Sequence, residues 1–167
     1  RTFTWAQYYA EGVKFAKALV ALDVKPFEGV AICGFNSPEW HFAFLGSSMI
    51  QALPAGTYTT NSPEACAYVC TDSQSRVALV DTVATAKKYL SQKDEMPLVQ
   101  KVVVWGEKIP DELAAAHQGY LVSYQAFLAL GNDVEDAAID QRVAKVRVQD
   151  CATLIYTSGT TGNPKAV

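Results

Sequence analysis

Gly29-Val30-Ala31-Ile32-Cys33-Gly34-Phe35-Asn36-Ser37-Pro38-Glu39, followed by the apolar stretch from Trp40 to Met49, sets the plan of the chain. Gly29 to Phe35 is a short apolar run without polar alternation, the mark of a strand buried on both faces. Ser37 then offers a capping hydroxyl. Pro38 suits a first helical position, where its missing amide is not needed, and Glu39 suits the positive end of the helix dipole. A buried strand feeding a capped helix is half of a parallel crossover. The expectation is therefore an α/β fold, a mainly parallel sheet with flanking helices.

Working outward, the same four residues recur as Asn61-Ser62-Pro63-Glu64, ahead of a second helix carrying Ala65, Cys66, Tyr68, Val69 and Cys70. Ala52 to Gly56 lies between as a short strand. The recurrence is too brief to be a true repeat, but the alternation continues: strands at Arg76 to Val80 and Lys101 to Trp105 flank a helix over about Thr82 to Leu90. Upstream, Thr4-Trp5-Ala6-Gln7 has the form of a capping box, with Phe3 and Tyr8 spaced as a hydrophobic staple. The helix it starts repeats apolar residues at Trp5, Tyr8, Tyr9, Val13, Ala16, Leu19 and Val20, an aromatic stripe expected to face the core. Pro26 and Gly29 break it. Downstream, Gly106 to Gly119 reads as surface connection with a single helical turn, and His117 within it as solvated. Ser123 caps a helix through Leu130 that Gly131 ends, Asp136 to Val146 is a weaker helix, and Cys151 to Tyr156 is a final strand.

The chain has 167 residues, enough for one domain, and a net charge of −3 with 19% charged residues. No basic stripe appears, so nucleic acid is not an expected partner. The uncharged run between Glu39 and Glu64 contains Pro54, Gly56 and a Thr-rich turn, which exclude a membrane span. Of the four cysteines only Cys66 and Cys70 are near one another, on one helical face. The two histidines, His41 and His117, are not spaced to complete a zinc site, so buried free thiols in a reducing compartment are expected.

The chemistry concentrates in the last twelve residues, Tyr156-Thr157-Ser158-Gly159-Thr160-Thr161-Gly162-Asn163-Pro164-Lys165-Ala166-Val167. The same residue types make ordinary surface turns. Here, however, they follow a strand, and ligands of α/β proteins bind at strand C-termini. Hydroxyls and close-approach glycine amides can donate to phosphate oxygens, and a lysine adds positive charge. Lys165 stands three residues beyond Gly162 rather than directly after it, so the Walker loop is not matched. No strand is followed by G-x-G-x-x-G, so a dinucleotide site is not supported.

Tyr156 to Lys165 resembles the phosphate-loop signature of the adenylate-forming enzyme superfamily. Gly34 to Trp40 and Tyr58 to Ala65 are similar to the N-terminal region of long-chain fatty acid CoA ligases, the second most of all to the bubblegum type. Ala166 stands where many relatives have glycine. The resemblance implies that residues 1–167 are one α/β region, the first part of a large N-terminal domain. The adenine and ribose contacts, most of the acyl tunnel and a C-terminal domain would lie beyond Val167. It implies long-chain fatty acid, ATP with Mg2+, and CoA as reactants. A carboxylate attacks the α-phosphate to give acyl-adenylate and pyrophosphate, and CoA then takes the acyl group. Thr157, Ser158, Gly159, Thr160, Thr161, Gly162 and Lys165 would hold the ATP phosphates, with Thr160 reaching Mg2+ through the bound nucleotide. Donors so placed lower a barrier by roughly 3 to 4 kcal/mol each. No residue of this stretch is assigned as catalytic. The resemblance also implies a cytoplasmic parent protein and leaves peripheral membrane contact open. The stretch alone is expected to be inactive, to bind ATP weakly or not at all, and to self-associate through an apolar patch. Two alternatives stand beside this reading: a nonenzymatic nucleotide-binding or scaffold module, and another acid–CoA ligase of the superfamily.

Overall fold

In the computed structural model, which describes residues 1–157 and 164–167, the opening helix α1 (Trp5–Ala21) starts at its capping box. The Thr4 hydroxyl accepts from the Gln7 amide, and the Gln7 side chain accepts from the Thr4 amide. The chain then alternates through β1 (Gly29–Cys33), α2 (Pro38–Met49), β2 (Leu53–Thr57), α3 (Pro63–Asp72), β3 (Ser75–Val80), α4 (Val83–Leu90) and β4 (Lys101–Val104). The Ser37 and Ser62 hydroxyls each accept an amide at 3.2 Å, from Trp40 and Ala65, so both recurrences act as caps. Three elements go beyond the sequence reading or sharpen it. Asp111–Ala116 forms the short helix α5, and Leu121–Ser123 forms a strand, β5, ahead of the Ser123-capped α6 (Tyr124–Ala129). After α7 (Asp136–Val143) and β6 (Leu154–Thr157) the chain ends in a two-residue strand, β7 (Lys165–Ala166).

The strand order is β5-β4-β3-β1-β2-β6-β7, parallel throughout except for the antiparallel β6–β7 pair. The expected mainly parallel α/β architecture is present. Alternate residues of the central strands feed opposite layers, as the pleat requires. Val30, Ile32, Val77 and Leu79 pack under α1, α2 and α6, whereas Ala31, Cys33, Ala78 and Val80 pack under α3 and α4. The helices α1 and α2 touch closely: a Cβ added to Gly46 would lie 2.5 Å from the Gly12 carbonyl oxygen.

Several expectations are corrected. Trp5 and Tyr9 do not line the core, being 87% and 52% exposed; the buried face of α1 is Gly12, Phe15, Ala16, Ala18 and Leu19. The staple residues Phe3 and Tyr8 both pack on the Phe42 ring of α2, at 5.1 and 5.7 Å. The break after α1 uses left-handed backbone at Asp23 and Phe27 in addition to Pro26 and Gly29. His117 is half-buried, and its carbonyl accepts the amides of Tyr120 and Leu121. Cys33, Cys66 and Cys70 are buried free thiols, but Cys151 is exposed.

Candidate functional site

The site is built where β1, β2 and β6 end. β1 turns into α2, whose first turns carry Trp40 and Phe44, stacked with ring centroids 5.7 Å apart. β2 supplies Gly56, where an added Cβ would meet nothing within 4 Å, so the floor here is bare backbone. β6 lies beside β2 in parallel register, Ala55 opposite Leu154 and Gly56 opposite Ile155, and the Thr153 hydroxyl donates to the Pro54 carbonyl at 2.7 Å. Between these walls lies a cleft of about 470 Å³, lined by Ile32, Trp40, Phe44, Gly56, Tyr58 and Ile155 among others. Most of that lining is apolar. It suits an aliphatic or flat apolar group rather than a sugar or a peptide backbone.

The strand that leads into the predicted phosphate loop forms one wall of the cleft. β7 returns antiparallel to β6 with Tyr156 opposite Ala166 and Thr157 opposite Lys165, and the amides and carbonyls of Ile155 and Val167 exchange two hydrogen bonds of 3.0 Å. Thr157 and Lys165, both exposed, therefore face each other at the base of the segment between them. The remaining predicted site residues, Ser158, Gly159, Thr160, Thr161 and Gly162, lie outside the described residues. A lysine and a threonine directly opposite one another at the C-terminal edge of a parallel sheet fit an anion such as a phosphate.

Next to Thr157, Tyr156 is the buried residue of β6, 3% exposed. It packs with Ala55 and Val69, and its hydroxyl donates to Asp72 Oδ2 at 2.7 Å. Burial first, and the neighbouring Asp72 carboxylate second, raise the Tyr156 phenol above its ordinary value, so it remains a donor at neutral pH. On the same side of the sheet, burial likewise raises the Tyr89 phenol. Among the described residues no group of three or more His, Cys, Asp and Glu converges on a cation position, and no helix is long and apolar enough to cross a membrane.

Sequence reasoning missed the cleft. Trp40 and Phe44 read as core residues of an apolar helix, and Gly56 as the end of a strand. The i,i+4 aromatic pair beside a glycine-ended strand was the available signal, but it becomes a site only when β6 arrives from much later in the chain. Asp72 gave one local hint: an acidic residue in the last turn of a helix opposes the dipole and calls for a donor.

The AMP-binding enzyme family model matches residues 1–167. The chain belongs to the AMP-binding enzyme family. It is 38% identical over 164 residues to the long-chain-fatty-acid–CoA ligase ACSBG1 of Homo sapiens, covering 98% of this chain and 22% of that protein. It is 37% identical over 165 residues to the ligase of the same description, ACSBG2, of Gallus gallus, covering 98% of this chain and 21% of that one. The chain thus spans roughly a fifth of the length of these curated relatives. Among solved structures, the anthranilate CoA ligase AuaEII in complex with anthranoyl-AMP superposes with a TM-score of 0.82 at 27% identity, over 100% of this chain and 29% of that one. The N-terminal domain of FACL13 from Mycobacterium tuberculosis shares the fold, with a TM-score of 0.73 at 22% identity over 99% of this chain and 36% of that one.

Proposed function

We propose that residues 1–167 are the first part of the large domain of a long-chain fatty acid CoA ligase. The parent protein would activate a fatty carboxylate with ATP and pass the acyl group to CoA. The observation that carries this reading is the pairing of Thr157 with Lys165 beside an apolar cleft, in a chain 38% identical to a long-chain-fatty-acid–CoA ligase. A cation and a hydroxyl at the loop base suit the departing pyrophosphate. The loop hydroxyls and amides of Ser158, Gly159, Thr160, Thr161 and Gly162 would add donors, with Thr160 turned toward the Mg2+ that ATP brings. That ion would supply charge neutralisation on the phosphates. These donors favour the transition state because charge grows on the leaving oxygens as the α-phosphate bond breaks.

The chain alone would lack most of the binding surface for ATP and would turn over nothing. Peripheral membrane contact and a cytoplasmic location belong to the same proposal for the parent protein, and self-association through an apolar patch to residues 1–167 alone. The test is ATP–pyrophosphate exchange by the parent protein over carboxylic acids of increasing chain length, with an aryl acid such as anthranilate alongside. Exchange rising with chain length is expected. Exchange with the aryl acid alone would move the reading to another acid–CoA ligase, and exchange with no acid would leave a nonenzymatic nucleotide-binding or scaffold module.

A further inference from the structure

Two register pairs join β6 to β2, and the strand buries one side chain, Tyr156. So little contact leaves the position of a strand underdetermined, because each ordered residue costs about 1 to 2 kcal/mol of backbone entropy. Tyr156 supplies the missing constraint. Its ring packs against Ala55 and Val69, and its hydroxyl reaches the carboxylate of Asp72, 84 positions away in sequence and the last residue of α3. Asp72 sits where the helix dipole is negative, with no basic residue in that last turn to offset it. The phenol is the donor this carboxylate accepts.

The pleat then decides what the rest of β6 does. Leu154 and Tyr156 share the α3 side of the sheet, where both pack on the same small cluster. Ile155, 59% exposed, borders the cleft, and Thr157 alternates to the same side. Locking Tyr156 onto α3 therefore fixes the rotation and height of β6, and through the Thr157–Lys165 pair it fixes the base of the loop.

We infer that Tyr156 and Asp72 form a positioning pair, which moors the start of the phosphate loop to the end of α3 and sets where Thr157 and Lys165 meet the substrate phosphates. Neither residue touches the reacting atoms. The pair deepens the proposed ligase function and rests on it for its kinetic consequence, while its mechanical consequence stands apart.

The experiment uses the whole parent protein and the variants Tyr156→Phe, Asp72→Ala, Asp72→Asn and Tyr156→Phe with Asp72→Ala. Tyr156→Phe keeps the buried ring and removes only the hydroxyl. It and Asp72→Ala are each expected to lower kcat/KM for ATP in pyrophosphate exchange by roughly 10-fold, with KM for the fatty acid unchanged. Asp72→Asn keeps an acceptor oxygen and is expected to stay within about threefold of the unmodified protein. The double variant should be no worse than either single, since both remove one bond. Hydrogen–deuterium exchange is followed in parallel over Leu154–Thr157 and Lys165–Val167, where uptake should rise in Tyr156→Phe and Asp72→Ala. Unchanged uptake overturns the mooring. Raised uptake with ATP kinetics within twofold of the unmodified protein overturns the positioning role, as does a double variant whose losses multiply. If the unmodified protein exchanges pyrophosphate with no acid, the proposed function falls, and the uptake measurement alone decides the pair.

Discussion

The strands β1 and β6 flank β2 on opposite sides and run parallel to it, yet they are held by different means. β1 is buried at all five positions and pairs along its full length with β2 on one side and β3 on the other. β6 pairs with β2 at two positions and has its exposed residues, Ile155 and Thr157, on the cleft side. The centre of the sheet is fixed by area removed from water, a force without direction. The edge is fixed by a few directional bonds: Thr153 to Pro54, Tyr156 to Asp72, and the β7 pairing. Of the two strands β6 is the less defended by burial, which leaves its exposed side free to meet a ligand.

The sharpest way to break this comparison is a matched pair of truncations. Leu79→Ala, at a fully buried position of β3 beside β1, is expected to cost about 3 kcal/mol of stability, whereas Leu154→Ala on half-buried β6 should cost about 1 kcal/mol. Urea unfolding of the parent protein measures both, and equal losses would erase the distinction between centre and edge. The second test reverses the ranking in activity. Lys165→Ala is expected to lower pyrophosphate exchange by roughly 100-fold while leaving stability and fatty acid binding within twofold. A loss confined to stability would remove the phosphate role of the edge.

The smallest effect is in pH. The phenols of Tyr89, on the buried face of α4, and Tyr156, on β6, are raised by burial, the first also by the neighbouring thiols and the second by Asp72. In the unfolded chain they ionise near pH 10, ahead of the folded protein. The unfolded state then binds fewer protons, so stability is fully present below pH 10 and falls as pH rises above it. Urea midpoints at pH 9, 10 and 11 should decline over the last interval. Tyr89→Phe and Tyr156→Phe should each flatten that decline, and a slope untouched by either change would count against burial as its cause.

The central half of this fold was legible because its residues speak locally. Ser37 and Ser62 with their following prolines announce two helix starts, and the continuous apolar run of β1 announces a strand covered on both faces. β5 escaped notice because three residues, Leu121 to Ser123, make too short a run, and β7 because Lys165 and Ala166 become a strand only by pairing with β6. Trp5 and Tyr9 fit the helical period, but that period says which residues share a face and not whether another element covers it. The loop motif was legible as chemistry, whereas its mooring was not. Tyr156 and Asp72 meet through tertiary packing of strand and helix, and neither residue names the other in sequence.

The register of β6 also bears on the order in which the molecule assembles. β1 to β4 are laid down consecutively, but β6 must find a partner strand across a long interval, Thr153 and Pro54 being 99 positions apart. Closing so long a loop is entropically late relative to the neighbouring crossovers. Until it closes, β2 offers an open edge, and Pro54, which has no amide to donate, blunts that edge against a stray strand. The loop base is then the last part of the sheet to form during refolding. Pulse-labelling should find the amides of Leu154 to Thr157 protected after those of β1, and simultaneous protection would contradict this order.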